Sequence, residues 1–164
     1  MTTTTLKFRR LSKALGAEVL GVDMSEPPDD ETYEWLRSAW LEHQILLFRE
    51  QHITLPQQIA FSRRFGELYI SSKKQKTEFP EVGIFSNIKK NGEYIGQPPA
   101  RTGDGWHSDL FYMEKPATGS LFRAEQAPAK GGETWFANMY AAYEALPEST
   151  KQRINDLRAT YSEV

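Results

Sequence analysis

The two clearest helical patterns in this chain both end before residue 67, and beyond residue 82 the apolar residues come in short runs divided by turn signals. Leu6-Lys7-Phe8-Arg9 alternates apolar with polar as a half-buried strand does, and residues 17–22 read the same way between Gly16 and Gly21. Pro27-Pro28-Asp29-Asp30 ends this extended region and supplies a capping aspartate. Tyr33, Leu36, Ala39 and Trp40 then fall on one face of a helix. Ile45-Leu46-Leu47-Phe48 is a continuous apolar run, the pattern of a strand buried on both faces. Thr54 and Gln57 form a capping box for a second helix spaced by Ile59, Ser62 and Phe65, with Gly66 in the left-handed position that closes it.

The later part of the chain reads mostly as strands. Residues 82–85 are strand-like, and Asn91-Gly92 between Ile88-Lys89-Lys90 and Tyr94-Ile95 is a strong two-residue hairpin signal. Residues 97–105, rich in Pro and Gly, read as a loop. Residues 119–126 and 133–137 are expected as two strands joined around Gly131-Gly132. Asn138 caps a short helix through Tyr143, and Pro147 begins another that carries Ile154 and Leu157. This order implies an α+β fold in which the strands form a jelly-roll or cupin-like sandwich flanked by helices.

At 164 residues the chain has the length of one domain, with residues 1–5, mostly threonine, read as a disordered start. A mean hydropathy of −0.59 and no run of about 20 apolar residues exclude a helical membrane span from the expectation. The absence of cysteine removes disulfides, thiolate metal sites and a cysteine nucleophile, and fits a cytoplasmic protein. A net charge of −2 offers no broad attraction to nucleic acid or anionic lipid. What remains is a small-molecule enzyme or a protein-binding domain.

Trp106-His107-Ser108-Asp109 narrows that choice. On an extended segment, residues two apart point to the same side, so the imidazole of His107 and the carboxylate of Asp109 can reach one cation. With a second histidine, they would make the two-His-one-carboxylate triad of non-haem Fe(II) oxygenases. A bare His-x-Asp is more often a hydrogen-bonded surface pair than a metal site, but here bulky apolar residues, Trp106 and Leu110-Phe111-Tyr112, enclose the polar pair.

These residues and several others resemble the Fe(II)- and 2-oxoglutarate-dependent dioxygenases of the taurine and chlorophenoxyacetate type. Trp106-His107-Ser108-Asp109-Leu110 is similar to that family's W-H-[ST]-D signature. Glu42-His43-Gln44-Ile45-Leu46-Leu47-Phe48-Arg49 is similar to its early helix-to-strand passage, and Arg64-Phe65-Gly66-Glu67-Leu68 to the next helix end. Gly131-Gly132-Glu133-Thr134 matches its G-G-[DE]-T element, and Ala141-Ala142-Tyr143-Glu144-Ala145-Leu146 the helix beyond. The blocks occur in one order over nearly the whole chain.

The resemblance implies a double-stranded β-helix, Fe(II) held by His107 and Asp109, and 2-oxoglutarate as cosubstrate with a carboxylate bound by Thr134. It implies hydroxylation of a small organic substrate by molecular oxygen. Read without it, Thr134 is a β-branched strand residue. Ser71 and Lys74 stand where the taurine enzymes carry a sulfonate-binding histidine and tyrosine, which argues against taurine as substrate. Leu110, with Phe85 and Phe111, offers an apolar wall, a role core packing explains equally well. Lys73, Lys74 and Lys76 are ordinarily a solvated run, with recruitment of an anionic substrate as the alternative. His43, at a helix end, is read as structural and His52 as lying in a connection; neither takes the place of the distal iron ligand.

That ligand and the arginine that clamps the cosubstrate lie, in the family, far downstream of Thr134. The chain is accordingly read as the N-terminal portion of one such domain, incomplete at its C-terminus and inactive alone. It would be a truncated reading frame, a fragmentary gene model or a subunit completed by another chain. A degenerate, non-catalytic binding module is the competing reading. The resemblance leaves a homo-oligomer open, with no surface in the sequence to mark its interface.

Overall fold

The computed structural model describes residues 6–71, 78–98 and 105–161. The threonine-rich start and Lys73, Lys74 and Lys76 lie outside the described residues. The chain divides into two compact units, one formed by residues 1–22, 31–50 and 121–164, the other by residues 23–30 and 51–120.

In the first unit, strands β1 (Lys7–Arg10), β2 (Ala17–Leu20) and β3 (Leu46–Phe48) form one sheet in the order β1-β2-β3. β1 runs antiparallel to β2, with Lys7 opposite Leu20 and Arg9 opposite Glu18, and β2 runs parallel to β3, with Ala17 opposite Leu46. A parallel pair needs a crossover, and it contains helix α1 (Asp30–His43). The helix buries Leu36, Ala39 and His43, on the face its apolar spacing sets. Ala17 and Val19 of β2 are buried with them.

β3 corrects one expectation: it is half-buried rather than covered on both faces, and it is an edge strand with β2 as its only strand partner among the described residues. The buried Glu18 sits between two arginines. Arg9 Nε donates to Glu18 Oε2 at 3.1 Å, and Arg49 Nε lies 3.3 Å from Glu18 Oε1. A buried carboxylate requires such pairing.

The C-terminal helices of this unit are α3 (Met139–Glu144) and α4 (Glu148–Ile154). The Asn138 carboxamide caps α3 by accepting from Ala141 N at 2.9 Å, and its Nδ2 donates to Ala14 O at 2.6 Å. Helix α4 ends at Ile154, so Leu157 lies beyond it, contrary to expectation. Residues 119–126 and 133–137 form no strand, although Gly131 and Gly132 both take the positive φ of the expected turn. A strand exists through its ladder, and no partner strand lies beside them among the described residues. They leave Phe122, Trp135 and Phe136 largely exposed, followed by Met139 and Tyr140 of α3.

In the second unit, helix α2 (Leu55–Arg63) begins at the expected capping box: Thr54 N donates to Gln57 Oε1 at 2.8 Å and Gln57 N to Thr54 Oγ1 at 3.4 Å. Ile59 and Phe61 are buried. The helix caps at Arg64, so Gly66 falls one position later than the sequence suggested. Lys89–Lys90 (β4) and Glu93–Tyr94 (β5) form the hairpin, with Asn91 at φ 53° and Gly92 at φ 83°, the double left-handed turn that Asn-Gly favours. Residues 82–85 give only a single bridge, Phe85 beside Gln97. The described residues thus hold a three-stranded sheet, a hairpin and four helices, with no closed barrel among them. No helix among them is long and apolar enough to cross a membrane.

Candidate metal centre

His107 and Asp109 sit in the second unit on an irregular segment, 105–108, that enters a turn at Asp109. The expected strand is not formed there, and the pair is exposed, with side chains 77% and 58% accessible. The turn places Leu110, a non-glycine residue, at φ 55°, and its carbonyl accepts from Met113 N at 3.0 Å. A left-handed leucine costs about 1–2 kcal/mol; Gln44, Glu50 and Asn91 share that region elsewhere among the described residues.

The two side chains nevertheless converge. His107 Nε2 lies 3.5 Å from Asp109 Oδ1. On the other side of the ring, Nδ1 is 3.2 Å from Gly105 O. A carbonyl oxygen can only accept, so a hydrogen bond here requires Nδ1 to carry a proton, and it is Nε2 that faces Asp109. The second carboxylate oxygen, Oδ2, accepts from Ser120 Oγ at 2.6 Å.

The donor set suits a hard or borderline divalent cation, one imidazole nitrogen beside one carboxylate oxygen. Two ligands about 2.1 Å from one ion and at right angles stand about 3.0 Å apart, so the observed 3.5 Å is close to a cis pair. Anchoring of the distal ring nitrogen on a carbonyl is also how metal-bound histidines are held. No third His, Cys, Asp or Glu among the described residues joins them.

The other expected site residues scatter. Leu110 adjoins Asp109 and is half-buried, while Phe85 and Phe111 are exposed. Ser71 is half-buried at the edge of a described segment, and Lys74 lies outside the described residues. Thr134 is exposed and belongs to the first unit. His52 is exposed, and the buried His43 packs edge-on against the Phe8 ring at 4.8 Å, its Nε2 making no hydrogen bond among the described residues. Sequence reasoning missed Gly105 and Ser120. A backbone carbonyl carries no side-chain signal, and Ser120 is eleven residues from its partner. It also missed an open cavity at the end of α2, lined by Arg63, Gly66, Glu67, Leu68, Ile70 and Glu81, in which Arg63 donates to Glu81 at 2.9 Å.

Residues 7–163 match the family described as taurine catabolism dioxygenase TauD, TfdA family, and the chain belongs to it. Among curated relatives it is 40% identical over 159 residues to the (S)-phenoxypropionate/alpha-ketoglutarate-dioxygenase of Sphingobium herbicidovorans, an alignment covering 93% of this chain and 52% of the relative. It is 36% identical over 168 residues to the protein of the same name from Delftia acidovorans, covering 97% and 55%. Among solved structures, AAD-2 in complex with Mn(II) and N-oxalylglycine superposes with a TM-score of 0.74 at 32% identity, over 93% of this chain and 54% of that one. The chain spans about half the length of the curated relatives it matches.

Proposed function

We propose that this chain carries the first two iron ligands, His107 and Asp109, of an Fe(II)- and 2-oxoglutarate-dependent dioxygenase that hydroxylates a small organic substrate. The observation that supports this most is the facing of His107 Nε2 and Asp109 Oδ1 across 3.5 Å, with the opposite ring nitrogen tied to Gly105 O.

In this reading both units belong to one double-stranded β-helix domain, and the family match from 7 to 163 runs through both. The third protein ligand and the arginine for the cosubstrate come from outside residues 1–164. The exposure of Phe122, Trp135, Phe136, Met139 and Tyr140 supports this, since large apolar side chains so near one another in the chain are ordinarily covered by more protein. With two ligands in place of three, residues 1–164 alone hold iron weakly and release little succinate.

Fe(II) held by His107 and Asp109 would activate molecular oxygen, the oxidant, with 2-oxoglutarate as co-reductant, so that one oxygen atom would enter succinate as carbon dioxide leaves and the other would hydroxylate the substrate. The chain's own residues position the reactants. Gly105 O fixes the imidazole tautomer, His107 and Asp109 offer one lone pair each, and the Thr134 hydroxyl donates to a carboxylate of 2-oxoglutarate. Leu110 and Ser71 would contact the substrate, a small organic anion, and Lys74, outside the described residues, is included on its sequence position alone. The relatives named for phenoxypropionate, itself a carboxylate, favour that class.

Anaerobic titration with Fe(II) and 2-oxoglutarate tests the reading. A weak visible charge-transfer band that His107→Ala and Asp109→Ala each abolish is the expected result. No band at high iron in a version extended to supply the third ligand and the arginine, or a band that survives both substitutions, overturns it.

A further inference from the structure

A carboxylate ligand has two oxygens and one rotatable bond that exchanges them. Left free, it can swing away from the metal or grip it with both oxygens and take a coordination position that a small molecule needs. In this chain one oxygen of Asp109 is already engaged: Ser120 Oγ donates to Oδ2 at 2.6 Å, within the short range of a hydroxyl bonded to a charged acceptor. The other oxygen, Oδ1, is the one that faces His107 Nε2. We propose that Ser120 is a positioning residue that holds Asp109 as a one-oxygen ligand, presenting Oδ1 to the cation and withholding Oδ2.

The proposal rests on the metal-binding reading above and adds to it a role for a residue that no spacing rule selects. It follows the general pattern in which the groups hydrogen-bonded to a ligand set the metal's affinity. Ser120 and its partner belong to the same unit, and the contact closes an eleven-residue separation without help from a strand ladder. Because Ser120 is exposed, removing its hydroxyl opens no cavity, so the substitution is a clean one.

Mn(II) binding to the 164-residue chain, followed by loss of the free-ion electron paramagnetic resonance signal, provides the readout without any turnover. Water-proton relaxation of the bound ion measures how many coordination positions remain to water. Ser120→Ala is expected to weaken Mn(II) binding by ~10-fold or more, the range found when a ligand's partner is removed, and to change the bound-water count. Ser120→Thr, which keeps the hydroxyl, is expected to restore both.

If wild type and His107→Ala bind Mn(II) equally, the metal-binding reading falls and this proposal with it. If wild type binds specifically but Ser120→Ala binds as tightly with the same water count, the proposal alone is overturned. A lowered melting temperature with unchanged binding likewise overturns it, because Ser120 would then only staple the turn.

Discussion

Gly96 offers a demanding test of the second unit, because the space that a side chain would need there is occupied by backbone. A Cβ at this position would stand 2.4 Å from Ile84 O, 2.8 Å from Ile84 C and 2.7 Å from Ile84 Cγ2. A carbon normally stays ~3.3 Å or more from a carbonyl oxygen, so Gly96→Ala must part the two segments by about 1 Å. The contact they share is the Phe85–Gln97 bridge, in which Gln97 N donates to Ile84 O at 2.7 Å and Ser86 N to Gln97 O at 2.9 Å. An opening of that size takes the first bond past the useful limit.

Losing both bonds costs about 1 kcal/mol each, and the residual crowding adds ~1 kcal/mol or more, for a total of about 2–4 kcal/mol. Since every 1.4 kcal/mol is tenfold, hydrogen-exchange protection of the Ser86 and Gln97 amides should fall ~30-fold or more. The Leu36-containing helix, in the other unit, serves as an internal control. Wild-type protection at both amides in Gly96→Ala would refute the reasoning, since it would mean that the chain absorbs a methyl group where the packing leaves no room.

Three further outcomes are expected. Leu36→Ala, at a fully buried position of α1, should destabilise the first unit by ~2–5 kcal/mol, measured by urea unfolding through the fluorescence of Trp35 and Trp40. Thr54→Ala removes the hydroxyl half of the α2 capping box and should cost ~1 kcal/mol, read as lowered hydrogen-exchange protection of the α2 amides, with Thr54→Ser recovering most of it. Glu18→Gln keeps the volume of a buried side chain but loses the charge that Arg9 and Arg49 bracket. Both arginines are well exposed and can turn to water, which limits the loss to about 1–2 kcal/mol. A stabilised Glu18→Gln protein would show that desolvation of the carboxylate outweighs its pairing.

The features that needed only near neighbours could be read directly from the residues. The Thr54–Gln57 box, the Asn138 cap and the Asn91-Gly92 turn each close within three or four positions, so no distant part of the chain can overrule them. The buried face of α1 followed from spacing for the same reason. The blocks around His107, Gly131 and Tyr143 likewise sufficed to place the chain in its family before any fold was seen.

Whatever depends on partners was settled by tertiary structure. Residues 119–126 and 133–137 have strand composition, but a ladder needs a second strand, and none lies beside them among the described residues. β3 has the sequence of a doubly covered strand but lies half-buried at the edge of its sheet. The convergence of His107 and Asp109 was anticipated from strand alternation, yet the backbone reaches it through a turn with a left-handed leucine. Residue identity named the two donors; only the folded loop could choose which oxygen of Asp109 meets the imidazole and which is held by Ser120, because that choice is made by a contact eleven residues away.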